Sequence, residues 1–517
     1  MASESVVQRR RSPALLLERN RERIVEAVVA VLGDHGWSGL TYASVARVAG
    51  LSPRPVQDRF PDRWALAVAA WEHTAGPSLE SALEELIASV GLIVPGTPAL
   101  VPEADQAASP ASTGLPESTG LPASTGLPEP TGLHERLKAA LERAGLLPGP
   151  TQVGDPVGPA TTRTDPQVEQ DPAEEMHEAL GVALDAARRA DYRAVRAAGP
   201  SPEWLARALE PFLRPDATLR SAIEILVMSQ FDSRLGAAVT DWAGHKVAGW
   251  CNPSTEDPAR SARCAYLTSV ALGLLLARTR AAVADLDLRG ESWLLFEALQ
   301  SDATPAQLPD VRADHLERFL EFDSEDPALD ALLRATMEEV GRVGFDAATT
   351  AGIGRASGYS EGLLFARYPS KVELFVDATR RQHAQNWRLN EEFQQAVAAA
   401  HGAGVAEAVV IREFQRPHLR VERAINLEQV RLALHDDRLR EVQWGELDAM
   451  VAAATSDDPD WLPAVSAAHL HMAVAIGLGS VCLTLLVPDA WQLPYDVVAV
   501  PLDELTSPMV GPGGVSP

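Results

Sequence analysis

The chain has 517 residues, 46% of them hydrophobic, and a formal net charge of −26 at pH 7. That length calls for several domains and supplies ample apolar material for their cores, while the acidity excludes a protein that clings to polyanions at large, though not one with a locally basic patch. Cys251, Cys264 and Cys482 lack metal-ligand spacing and point to a reducing cytoplasm without structural disulfides, and the polar N-terminus has no apolar run of the kind a signal peptide needs.

Strand patterns are scarce, and alanine, leucine, glutamate and arginine dominate, so the expected fold class is all-α. Residues 1–19 read as a basic flexible arm, with Arg9, Arg10, Arg11 and Arg19 followed by Arg21 and Arg23 against only Glu4, Glu18 and Glu22. Such an arm suits a phosphate backbone or a minor groove; its plain alternative is a solvated tail. A three-helix unit follows over 20–67. Ile24, Ala27, Val28, Val31 and Leu32 recur at helical spacing and the pattern stops at Gly36. Thr41 is placed to cap a second helix that carries Val45, Ala46 and Val48 and ends at Gly50. Ser52 is placed to cap a third, with Pro53 at the first helical position, where its missing N–H costs nothing.

Residues 68–300 read as a first helical core, interrupted over 95–171 by a Pro-, Gly-, Ser- and Thr-rich insertion. The hexad that starts at Ser112 returns at Ser118, Ser124 and Pro130, a period that suits neither helix nor sheet, so a flexible segment is expected around an amphipathic helix near His134 to Leu146. A Pro-rich docking segment for another protein is the alternative. The apolar stretch Cys264 to Ala277 (Leu267, Val270, Leu274) closes this core. A linker at 301–325 leads to a second three-helix unit at 326–375, a second core at 376–506 and a frayed tail at 507–517. The second core has its own apolar stretch, His469 to Leu486 (Met472, Ile476, Val481), and each stretch holds mid-helix glycines, Gly273 in one and Gly477 and Gly479 in the other. A membrane span needs about twenty apolar residues, and both fall short. Pairing of the two stretches within one chain, as in a four-helix bundle, is expected instead.

The two three-helix units are copies in one register. Gly36, Thr41, Gly50, Ser52, Phe60, Pro61 and Leu66 correspond at a constant offset to Gly344, Thr349, Gly358, Ser360, Tyr368, Pro369 and Leu374. A helix, a tight turn holding glycine and a second helix form the helix-turn-helix unit. At these residues, with Leu40-Thr41, Val45-Ala46, Ala49-Gly50-Leu51-Ser52, Phe60-Pro61 and Arg63 in one copy and Gly344-Phe345, Ile353-Gly354, Gly358-Tyr359-Ser360, Tyr368-Pro369 and Lys371 in the other, the sequence resembles the DNA-binding head of the TetR/AcrR family of transcriptional repressors. The resemblance covers the heads; the helical stretches behind them fit that family's ligand-binding and dimerising cores.

What the resemblance implies is a DNA-binding regulator, a repressor by family habit, with double-stranded operator DNA and an unknown small-molecule effector as partners and no cofactor. Family members usually bring two heads to half-sites one DNA turn apart as homodimers. Two heads on one chain therefore imply a tandem, single-chain pseudo-dimer and an asymmetric operator. The DNA-contacting residues implied in the first head are Arg21, Thr41, Tyr42, Ser52, Arg54, Pro55, Gln57, Arg59 and Arg63. In the second they are Thr349, Thr350, Ser360, Phe365, Arg367 and Lys371. Gln57 and Phe365 stand where the family commonly has a tyrosine, so that hydroxyl is missing from both heads. Glu361 would be repelled by phosphates unless it accepts from a cytosine N4, and acidic residues rather than an arm precede the second copy. A scaffold role for that copy is the alternative reading.

Effector-pocket candidates are the large apolar residues of the cores, Phe212, Met228, Phe231 and Trp242 in the first and Trp387, Phe414 and Trp444 in the second, each of which could equally be packing. Other chemistry finds little support. His469 and His471 point to different helix faces, Gly477-Leu478-Gly479 lacks the strand of a nucleotide loop, and no catalytic motif is evident, so no enzyme and no metal are expected.

Overall fold

The computed structural model describes residues 13–93, 194–254, 256–280, 283, 288–454 and 467–506. Every regular element among them is helical, as the composition implies. Met1–Val101 and Ala198–Pro517 form one compact unit, and Pro102–Ala197 a second, whose described residues, 194–197, are helical. The hexad repeats, the helix expected near His134 and the C-terminal tail lie outside the described residues.

The first head is built from α1 (Pro13–Gly39), α2 (Tyr42–Val48), α3 (Pro53–Gln57) and the start of α4 (Arg63–Ala70). The arm expected to reach residue 19 is shorter, because α1 already begins at Pro13, a favoured first helical residue, and runs on through Ala14 and three leucines with strong helix propensity. Gly36 breaks α1 with φ 62°, and Gly50 closes the turn after α2 at φ 61°, backbone that residues with a Cβ rarely adopt. Thr41 caps α2 through a reciprocal pair of bonds with Ser44. Ser52 precedes α3 without bonding it, in contrast to the cap its position suggests.

The second head repeats the plan in α11 (Pro327–Val343), α12 (Thr350–Ser357), α13 (Glu361–Arg367) and the start of α14 (Lys371–His401). Asp326 accepts from the N–H groups of Ala328 and Leu329 to start α11. Leu332, Leu333, Met337 and Val340 on that helix are buried in a cluster with Ile425 and Leu432 of the second core. Burying such a side chain contributes roughly 1.5–3 kcal/mol. Gly344 and Gly358 take the positive φ of Gly36 and Gly50, at 78° and 77°.

Behind the first head stand α5 (Gly76–Ser89), α6 (Pro202–Leu213), α7 (Ala217–Met228), α8 (Ser233–Lys246), α9 (Pro258–Ala277) and α10 (Arg289–Gln300). Behind the second stand the rest of α14, then α15 (Ala403–Phe414), α16 (Arg420–Ala433), α17 (Asp437–Ala454), α18 (Ala467–Leu483) and α19 (Asp496–Thr506). Two pairings are counterparts: α1 packs on α7, and α11 on α16. Other pairings cross between the halves, α9 with α18 and α10 with α19.

The α9–α18 crossing is close because it is made at glycines. A Cβ on Gly273 would lie 1.7 Å from the carbonyl oxygen of Ala475, and one on Gly479 1.7 Å from that of Ser269. Leu267, Val270, Leu274, Met472, Ile476 and Val481 are all buried there.

The segment joining the halves is docked rather than loose. Asp496 accepts from the Ala306 N–H at 2.6 Å, Arg412 donates to the Pro309 carbonyl at 2.9 Å, and Leu308 and Val311 pack against Val397, Ala406 and Val409.

Candidate nucleic-acid interface

In the first head, α3 turns its polar residues outward because Val56 alone is drawn into the core. Arg54 is 88% exposed and sits 4.0 Å from Asp58, an ion pair that water screens. Gln57 and Ser52 are exposed, Pro55 is half-buried, and Arg59 folds back to donate to the Pro55 carbonyl at 2.8 Å. At the start of α4, Arg63 lies over the rings of Trp37 and Trp64, 5.1 and 5.6 Å from their centroids, which fixes its guanidinium beside the head's surface. Thr41 is exposed but serves as a cap. The Tyr42 hydroxyl donates to the Phe60 carbonyl at 2.9 Å, and Arg21 to His73 at 2.9 Å. Arg54, Gln57 and Ser52 thus form the open polar face, with Arg59 and Arg63 braced beside it.

The second head spends more of its polar groups on itself. Lys371 donates to the carbonyls of Phe345 and Ala348 at 2.6 and 2.7 Å and lies 4.2 Å from the Phe345 ring centroid, and burial lowers its pKa. Arg367 pairs with Asp326 at 2.7 Å. Thr350 donates to Glu361, while Thr349 and Ser360 cap their helices through Gly352 and Leu363. Phe365 on α13 stands 52% exposed. Arg355, at the end of α12, is exposed as well.

Between the heads lies a buried charged junction that pattern reading did not single out. Helix one of each head ends at its glycine, and the next N–H points at a buried glutamate of its own core: Trp37 donates to Glu224 on α7 at 3.1 Å, and Phe345 to Glu428 on α16 at 2.8 Å. Arg431 joins the two. Its guanidinium reaches Glu428 at 2.7 Å, Glu224 at 3.3 Å and Asp346 at 3.4 Å, and it is 1% exposed. His435 lies 2.8 Å from the other Glu224 oxygen, and Ser38 donates at 3.1 Å to Asp346, its own counterpart in the second copy. The correspondence extends to the glycines: a Cβ on Gly36 would strike His435 of the second core, and one on Gly344 would press on Phe231 of the first.

Burial by itself would raise the Glu224 carboxyl, but the His435 hydrogen bond and the Arg431 and His435 charges outweigh it and hold the group below its ordinary value. Burial would likewise lower Arg431, yet the glutamates raise it. The junction is a set of mutually dependent charges, each costly without the others.

The effector-pocket candidates do not converge. Phe212 and Met228 are buried in the first core, and Trp242 packs edge-on against Trp71 at 5.0 Å. Phe231 faces Gly344, Phe414 packs on Ala313, Leu316 and Leu419, and Trp444 lies under the Arg280 guanidinium at 5.3 Å. Trp387 is 40% exposed. A different group stands out in the second core. Gln382 on α14 accepts from Gln429 on α16 at 2.6 Å, and the buried atoms Gln382 Nε2 and Asn386 Nδ2 have no protein partner. Amides at helical positions carry no distinctive sequence signal. No cluster of three or more metal-ligating side chains occurs among the described residues, and none of their helices is long and apolar enough to cross a membrane.

Residues 332–378 match the family model described as bacterial regulatory proteins, tetR family. The span runs from α11 into α14 and so takes in the second head. It supports a place in that family and implies a DNA-binding transcriptional regulator. No curated protein matches the chain.

Proposed function

We propose that the chain works as a single-chain pseudo-dimer, a ligand-responsive repressor whose two unlike heads read an asymmetric operator. The observation that carries this reading is the junction, where corresponding residues of the two halves meet in reciprocal fashion: Gly36 with His435, Gly344 with Phe231, Ser38 with Asp346. A homodimer makes such isologous contacts between subunits. Here one chain supplies both sides. Identical half-sites are then unnecessary, because Arg54 and Gln57 in one head occupy the positions of Gly362 and Phe365 in the other.

Effector sensing is assigned to the second core, where the buried Gln382 Nε2 and Asn386 Nδ2, without a protein partner, are placed to meet a polar group of a ligand. A ligand there would bear on α14, which begins in the second head, and on α16, which carries Glu428 and Arg431. It would favour one head spacing over another.

One specific observation favours a second reading, in which the first head alone reads bases: Arg367 and Lys371 are engaged within the second head. The deciding experiment is selection of bound duplexes from random DNA, with the mass of the complex in solution. The pseudo-dimer reading expects one chain on two unlike half-sites. Arg54→Ala should then lose the preference on one half-site and Phe365→Ala on the other. Two chains on a perfect palindrome, indifferent to Phe365→Ala, would favour the second reading, and no enrichment would defeat both.

A further inference from the structure

The linker, the first helix of the second head and the long helix α14 enclose an open cleft of about 780 Å³. Four arginines converge on it from three separate elements: Arg318 from a helical turn within the linker, Arg334 from α11, and Arg381 and Arg388 from α14. In a chain with a net charge of −26 these four arginines outnumber the three carboxylates of the same cleft, Glu321, Asp323 and Asp330. Seven residues separate Arg381 from Arg388, two helical turns or about 10 Å along one face.

Two of the three carboxylates that line the cleft are engaged with other residues of its wall. Glu321 pairs with Arg318 at 2.6 Å, Asp330 accepts from the Ser324 N–H at 3.2 Å, and the exposed Asp323 faces water. The arginines of the helical wall are held more loosely. Arg381 has one bond, from Nε to Asp377, and Arg388 lies 3.8 Å from Glu392 with both side chains exposed. Arg334 has no hydrogen-bond or ion-pair partner among the described residues.

We propose that this cleft is a binding site for a small polyanion carrying at least two carboxylate or phosphate groups, held by Arg334, Arg381 and Arg388. The planar fork of each guanidinium matches either group in two-pronged fashion, and an open cleft suits a hydrated, highly charged ligand better than the apolar interior of a core. Bound there, the ligand ties α11 of the head to α14, a link separate from the buried amides of the second core. The site needs no DNA to be measured, so its failure and that of the regulatory reading are distinguishable.

The test is calorimetric titration of the full chain with citrate and, separately, inorganic pyrophosphate at physiological ionic strength. Saturable binding of one ligand per chain is expected. Preference for citrate assigns a polycarboxylate, preference for pyrophosphate a phosphorylated compound. Arg334→Gln combined with Arg388→Gln should weaken binding about tenfold or more, with the circular dichroism spectrum unchanged. Arg380→Gln, an exposed position on α14 outside the cleft, should leave binding as it was. Binding of neither probe, or equal binding by the double variant, would overturn the proposal.

Discussion

Arg431 shows how much can rest on one side chain. It is buried between Glu224 and Glu428, and each of those glutamates also accepts the first N–H beyond a head's terminal glycine. Arg431→Met keeps much of the bulk but leaves two buried carboxylates without their cation, and a broken buried pair costs about 3–5 kcal/mol. The midpoint of denaturant unfolding should fall accordingly. An unchanged midpoint would mean that water reaches the junction. The same cluster predicts a direction with pH. Glu224 is held below its ordinary carboxylate value, so its contribution is present above that value and is lost as pH falls through the lower, folded one. Stability should therefore drop on acidification below about pH 4.5, and less so in Glu224→Gln, which is already weakened at neutral pH. None of this was legible in the sequence. Glu224, Glu428, Arg431 and His435 belong to no sequence motif, and periodicity marks a helix face as polar without saying what meets it.

At the scale of elements, much of the design could be read in advance, since it is written in local chemistry. Gly36, Gly50, Gly344 and Gly358 announce backbone turns that a Cβ resists, and Thr41 and Thr349 announce helix starts. Ser52 is the exception: residue type favours a cap there, but its side chain makes no cap bond while its counterpart Ser360 does. The glycines of α9 and α18 carry a meaning that only contact reveals. Gly273→Leu would drive a side chain into the Ala475 carbonyl, and the helices would have to part. Overpacking of that kind costs typically about 1–3 kcal/mol. Gly477→Leu, with open space around it, should cost far less. Thermal unfolding of the two variants side by side checks this, and equal midpoints would contradict the crossing.

For the molecule as a whole, the decisive question is whether either half can stand alone. Buried Leu267, Val270 and Leu274 on α9 have α18 as their cover, α10 of the first half packs on α19 of the second, and Arg431 of the second half answers Glu224 of the first. These contacts join residues far apart in the chain, so the two halves should unfold in one transition rather than two. They also predict the outcome of cutting the chain. If residues 1–303 and 304–517 are produced together from separate genes, the halves should co-purify as one particle, because the surfaces they share are apolar helix faces and paired buried charges. Produced alone, 1–303 should aggregate, having exposed the apolar face of α9 to water. A monodisperse first half would show instead that α9 finds other cover, and the charges at the junction would then have to be tolerated without their partners. Glu224 would then have water and Arg278 of its own half where Arg431 and His435 stood, so the exposed apolar face of α9, more than the lost ion pairs, is what argues against a stable first half.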